Sequence, residues 1–285
     1  MKLGVSTYCF AQNMQTGAMS ILDAIDCIAD IGGEHVEIVS GVIELAKTPE
    51  LIAAIKKRAS DRGLPLSNYA IGAQFAGLDD EAFEREIARV KREVDIAADL
   101  GVKRMRHDVA SSVDLSDGQF AADLPRLIIA CCEIADYAAP LGITTSVENH
   151  GYYIQASARV RKLVQEVGRD NFRTTLDIGN FVCVDEEPVQ GVRNNIALAS
   201  MVHVKDFYRR PADLDPGAGW FRSANGTYLR GAIVGQGDLD IRAALATVKH
   251  SGYDGDLSIE FEGLEPCVQA TKIALDNARR FWAEA

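Results

Sequence analysis

Glu148, Asp177, His203 and Glu260 each lie at or near the end of a short run rich in β-branched or other apolar residues: ITTSVE, FRTTLD, SMVHVK and DLSIE. Each run is followed by Gly, Asn or another loop residue, and then by an amphipathic helical stretch. The gaps from 148 to 177 (29 residues) and from 177 to 203 (26) are close to one strand–helix–strand unit, which takes about 30 residues. The gap from 203 to 260 (57) holds one such unit plus a long segment bearing Gly and Pro. Three carboxylates and one imidazole at the carboxyl ends of four successive parallel strands would converge on one point. That donor set, at the mouth of a (β/α)8 barrel, describes a divalent-metal site.

Converging carboxylates repel one another unless a cation neutralises them. The alternative to a metal is a structural salt-bridge network, for which only Lys205 and Arg106 are available as basic partners. Three carboxylates, one nitrogen and no thiolate suit Mn²⁺ first, then Mg²⁺ or Co²⁺, better than a structural zinc, though zinc stays open. One divalent metal ion is expected, with His203 binding as neutral imidazole, so that affinity falls on acidification.

Eight strands must position these groups. The candidates are LGVS (3–6), HVEI (35–38), LSNYA (66–70), RMRHD (104–108), TTSVE (144–148), RTTLD (173–177), MVHVK (201–205) and LSIEF (257–261). Helical periodicity separates them, as in Ile21, Leu22, Ile25, Ile28 and Ala29, or Ile87, Val90, Val94, Ala97 and Leu100. Pro65, Gly101, Gly142 and Gly252 supply helix stops. Eight β-then-α units without a composition break predict an α/β fold, a (β/α)8 TIM barrel, as a single domain over 1–285. The exception is the segment 207–237 after the seventh strand, with five aromatics and four arginines. A stretch this long without periodicity is usually functional. Its place predicts a loop over the mouth, and the same composition would suit an oligomer contact.

The chain has 285 residues, 47% of them hydrophobic, enough for one large core. A formal net charge of −11 and scattered basic residues argue against a nucleic-acid partner. No apolar run approaches the roughly 20 residues that span a bilayer, and MKLGVSTYCF enters a strand directly. No membrane association, no secretory signal and a cytoplasmic location are therefore expected. The six cysteines show no CxxC spacing and read as reduced, packed thiols.

The motifs ENHG (148–151), TLDIGN (175–180), HVKD (203–206), GQGDLD (235–240) and SIEFEG (258–263) resemble the xylose isomerase-like TIM barrels. More narrowly, they resemble the sugar phosphate isomerase/epimerase superfamily of ketose 3-epimerases, inosose dehydratases and isomerases. The resemblance spans nearly the whole chain and is strongest over 144–263. It implies that Glu148, Asp177, His203 and Glu260 hold one catalytic divalent metal, with Glu148 and Glu260 also the acid/base pair. The reaction implied is isomerisation or epimerisation of a sugar or sugar-like keto substrate. A proton is taken from carbon next to a carbonyl, leaving an enediolate whose charge a metal stabilises. The alternative on the same site is a lyase or dehydratase, in which the enediolate expels a leaving group. A binding-only protein would be expected to lack one of the paired glutamates, and both are present.

Lys205, two residues after His203, points to the same strand face and is expected to meet a substrate oxygen or to pair with a carboxylate. His150 is expected to bond a sugar hydroxyl or to cap its loop, while Glu37 and His107 resemble pocket-lining positions. Arg106 faces away from His107 and reads as structural, Tyr8 and Cys9 as an apolar wall, and His35 and His250 as uninvolved. The three-zinc endonuclease branch needs a further histidine where this chain has Asn180, and an Asp-x-His pair where residues 229–234 read LRGAIV. The expected partner is a small sugar or polyol, with a homo-oligomer by family analogy.

Overall fold

A computed structural model describes residues 2–285. Eight parallel strands close into one barrel: β1 (Lys2–Ser6), β2 (Val36–Val39), β3 (Leu66–Ile71), β4 (Arg104–His107), β5 (Thr144–Glu148), β6 (Phe172–Asp177), β7 (Ala199–Val204) and, last in the chain, β11 (Asp256–Ile259). Each predicted strand is present, with its ends within two residues of those expected and those of β5 unchanged. Closure is made where β1 pairs with β11, Leu3 opposite Leu257 and Val5 opposite Ile259.

Helices follow the strands in turn: α2 (Ile21–Asp30), preceded by a single extra turn α1 (Ala11–Gln15), then α3 (Pro49–Asp61), α4 (Asp80–Leu100), α5 (Asp117–Ala138), α6 (Ser157–Val167), α7 (Pro188–Asn195), α8 (Ile241–His250) and α9 (Cys267–Glu284). Local chemistry sets their ends. Ser20 and Asp23 form a capping box on α2, the Asp79 side chain accepts from Ala82 N–H at the start of α4, and Gly101 closes α4 in the left-handed region. The predicted stripe Ile87, Val90, Val94, Ala97 and Leu100 is buried along α4. Such stripes meet the outward faces of the strands, and the apolar core is this shell between sheet and helices.

Inside the barrel the character changes. Ser146 and Thr175 hydroxyls meet at 2.8 Å, Asn68 Nδ2 donates to Glu37 Oε1 at 2.7 Å, and Ser258 is fully buried. The interior of this barrel is therefore polar below its mouth.

The segment after β7 departs from the expected irregular loop. It folds as a three-stranded antiparallel sheet of β8 (Asp206–Arg210), β9 (Phe221–Arg222) and β10 (Tyr228–Ala232), with β10 central. Phe207 and Phe221 pack edge to face at 5.7 Å, and Arg230 lies over Tyr208 and Trp220. The Asp206 carboxylate fastens its base, accepting N–H from Phe207, Gly235 and Gly237 at 2.8, 2.8 and 3.0 Å.

Candidate metal centre

Four strand ends bring Glu148, Asp177, His203 and Glu260 together. One donor atom from each lies within 4.8 Å of all the others, and all four residues are buried. His203 is the hub. Its Nδ1 stands 3.5 Å from Glu148 Oε1, 3.7 Å from Glu260 Oε2 and 4.0 Å from Asp177 Oδ2.

Each donor is held from behind. Asp177 ends β6, and its Oδ1 accepts N–H from Gly179 (2.7 Å) and Asn180 (2.9 Å), leaving Oδ2 turned to the centre. Asn149 fixes the same strand end reciprocally, accepting from Asp177 N–H and donating to its carbonyl, both at 2.8 Å. The turn after Asp177 passes so near β7 that a Cβ on Gly179 would stand 2.8 Å from the Lys205 carbonyl oxygen, so this position requires glycine. Glu148 receives Arg106 Nε at 2.6 Å on Oε2 and Asn180 Nδ2 at 3.1 Å on Oε1. Glu260 Oε2 lies 2.7 Å from Lys205 Nζ.

Both cations available for a salt-bridge network are therefore present, yet they do not complete one. His203 Nδ1 and Asp177 Oδ2 are buried without a hydrogen bond, although Lys205 Nζ comes within 3.3 Å of the latter. Four buried carboxylates surround this point: Glu148 meets Arg106, Asp177 and Glu260 meet Lys205, and Glu37 meets His203, whose pKa the carboxylates raise against the opposing effect of burial. Unpartnered buried donors and excess negative charge are costly unless a cation neutralises them. The pKa shifts register this crowding. Burial pushes the Asp177 carboxyl up to about 7, with Lys205 opposing and the Glu260 and Glu148 charges adding. Burial works against the charged form of Glu148 too, but Arg106 and His203 prevail and hold it well below the usual range. Three carboxylate oxygens and one imidazole nitrogen, all aimed inward, fit a divalent ion.

Two predicted pocket residues are placed elsewhere. Glu37 lies behind His203, not against the cavity: its carboxylate faces His203 Nε2 at 2.9–3.0 Å and is fully buried. Such a carboxylate–histidine pairing fixes the ring's orientation, as it would for a metal-binding imidazole. His107 points outward from β4 into the shell under the helices, against the Phe75 and Phe172 rings, and burial lowers its pKa to about 4. Its neighbour Arg106 points inward, the reverse of the expected arrangement, and reaches both Glu148 and Asp108. The alternation was read correctly but its phase was inverted, because the β4 mouth position carries a basic residue instead of a ligand type. Arg106 meets Glu148 as the basic partner expected for a salt-bridge network, while Asn180 and Asn149 support the centre without a sequence signal of that role. Only the TLDIGN and ENHG motifs marked two of these places.

The cavity over the centre, about 350 Å³, is walled by Tyr8, Arg106, His150, Lys205, Phe221 and Glu262 among others. Cys9 sits behind this wall, where Phe261 N–H donates to its sulfur. His150 is half exposed at the rim, its Nδ1 3.2 Å from Asp108 Oδ1. Phe221 brings the β8–β10 sheet to the cavity, and Tyr152 OH donates to the Arg222 carbonyl beside it.

A closed eight-stranded barrel with an acidic and imidazole cluster at its carboxyl mouth defines a class of TIM-barrel proteins. The chain belongs to the xylose isomerase-like TIM barrel family, whose sequence model matches residues 25–283. No curated protein matches it. Among solved structures it is similar to a D-allulose 3-epimerase from Methylomonas sp., with a TM-score of 0.74, 16% identity and 99% and 98% of the two chains covered. It is similar to the 3-keto-D-glucoside 4-epimerase of E. coli, with a TM-score of 0.74, 17% identity and 98% and 99% covered. It is also similar to the IOLI protein with a bound zinc atom, with a TM-score of 0.76, 17% identity and 100% and 97% covered. At these identities the likeness is one of fold.

Proposed function

We propose that this protein is a divalent-metal-dependent isomerase or epimerase of a sugar or sugar-like keto substrate, with Glu148, Asp177, His203 and Glu260 holding the ion. The observation that carries this reading is the pair of buried atoms without a hydrogen bond, His203 Nδ1 and Asp177 Oδ2, which face Glu148 and Glu260 beneath an open cavity. Mn²⁺ is the ion the oxygen-rich donor set favours, with Mg²⁺, Co²⁺ and zinc as competitors. Bound there, it would supply Lewis acidity toward a carbonyl oxygen.

The side chains divide the remaining work. Glu148 and Glu260 enter from β5 and from the end of β11, on different sides of the cavity. One takes the proton from carbon beside the carbonyl and the other returns it, so that delivery to the opposite face inverts the centre. Arg106 and Asn180 keep the Glu148 carboxylate from rotating away. Lys205, whose charge Asp177 and Glu260 hold despite the opposing effect of burial, offers its ammonium to a substrate oxygen. His150 offers its ring edge to a hydroxyl at the rim. Tyr8 and Phe221 restrict water.

Elimination is the second reading, and Lys205 favours it: an ammonium 2.7 Å from Glu260 on the cavity wall can protonate a departing hydroxyl or alkoxide. Proton NMR in D₂O, on the Mn²⁺-loaded protein with ketoses, keto-inositols and 3-keto-glycosides, separates the cases. Deuterium incorporation with a new epimer or isomer is the result expected. An unsaturated product would transfer the assignment to the lyase, and no exchange into any of them would overturn both.

A further inference from the structure

A second cavity of about 480 Å³ opens beside the first, on the side of the β3, β4 and β5 loops and away from the β8–β10 sheet. The two share Gly72, Asp108, Glu148, His150 and Gly151, so they are lobes of one cleft with Glu148 at the junction. Small-ligand sites occupy roughly 300–1,000 Å³, and each lobe alone suits a single ring.

The chemistry of the second lobe is specific. Val109, Ala110 and Ile154 line it with apolar surface. Gln74 ties its walls together, donating to the Ala76 and Ser111 carbonyls at 2.9 and 3.0 Å and accepting Ser111 N–H at 2.6 Å. Its charged lining groups are the carboxylates Glu86, Asp108 and Glu148, with His150 at the junction. The nearby guanidiniums are already engaged: Arg89 with Glu86 and the Gly72 carbonyl, Arg106 with Glu148, Asp108 and the Ile71 carbonyl. The arginines of the β8–β10 sheet stack on Trp220, Tyr208 and Tyr228 or pair with Glu187 and Asp238. Of the groups lining this lobe only His150, at its junction, could carry positive charge toward a phosphate or carboxylate, and three carboxylates outnumber it. An apolar floor with acceptors at its edge matches instead the C–H face and hydroxyls of a neutral sugar unit. Asp108 Oδ1 faces Arg106 and His150, which leaves Oδ2, beside Gly72, for a ligand hydroxyl.

Resting on the reading of the metal centre as the reacting subsite, we infer that this lobe is a second subsite for an uncharged, hydroxylated unit. The substrate is then a glycoside or disaccharide-like molecule and not a phosphorylated monosaccharide. Isothermal titration of the Mn²⁺-loaded protein with glucose, glucose 6-phosphate, cellobiose, maltose and lactose tests this. The best disaccharide should bind about tenfold or more tightly than glucose, and glucose 6-phosphate no more tightly than glucose. Ser111→Trp and Ala73→Trp, which fill the lobe from two loops, should each bring the disaccharide-to-glucose ratio to about one. A ratio near one in the unaltered protein, a ratio unmoved in both variants, or tightest binding by glucose 6-phosphate would overturn the subsite. Titration reads occupancy, not turnover. Loss of deuterium exchange with the disaccharide preference intact removes the isomerase reading alone, and the converse removes the subsite alone.

Discussion

His203 is gripped at Nε2 by the Glu37 carboxylate and presents Nδ1 to three others, so its ring orientation is set by a residue 166 positions away. Glu37→Gln should weaken metal binding about 10–100-fold, measured by competition against a chelator, with proton exchange regained at high metal. An unchanged affinity would show that packing alone aims the ring. Glu148→Gln and Glu260→Gln should each abolish deuterium incorporation at substrate carbon while the fold survives by circular dichroism. Persistent exchange in both would remove them as bases. The convergence of the four donors was legible because ligand-type residues at parallel strand ends have one place to go. Their supports were not. Glu37, Arg106 and Asn180 act across strands, and a contact between β2 and β7 leaves no local pattern in the chain. For His107 the pleat phase decided the outcome, since it points out, whereas Glu37 points inward and its depth, one level beneath the cavity, decided.

The β8–β10 sheet is the element that the barrel pattern does not require. Its strands are five, two and five residues long, too short for alternation to stand out among Gly, Pro and Arg. The eight barrel strands and their helices were legible because apolar runs and 3.6-residue stripes alternate at regular spacing. Asp206 joins the sheet to the 235–239 turn, and a Cβ on Gly237 would stand 2.2 Å from Asp206 Oδ1. Asp206→Ala removes the acceptor of the buried Phe207 N–H and of the Gly235 and Gly237 N–H groups, at a cost of about 1–3 kcal/mol, and Gly237→Ala should loosen the same clasp. Faster limited proteolysis within 207–237 would register both. In the unaltered protein, saturating sugar should slow that cleavage, since Phe221 lines the cavity. Equal rates with and without sugar would deny the sheet a role as a lid.

At the scale of the molecule, an ion bound only by the folded chain adds stability by mass action, about 2.7 kcal/mol at a hundredfold excess over Kd. Exhaustive chelation should therefore lower Tm by roughly 5 °C or more and abolish proton exchange, and Mn²⁺ should restore both. Full activity after chelation would contradict the metal's role. Among the described residues no helix is long and apolar enough to cross a membrane.

The barrel shuts where the first strand meets the last, and Cys9 bonds across that seam to the backbone at 259 and 261. Glu37 and Arg106 reach over from the opening half of the chain to groups contributed by the closing half. All four donors come from the closing half, but the groups that aim His203 and Glu148 come from the opening half. Tight ion binding would thus report ring closure during refolding, and two fragments split between β4 and β5 should regain full affinity only on recombining.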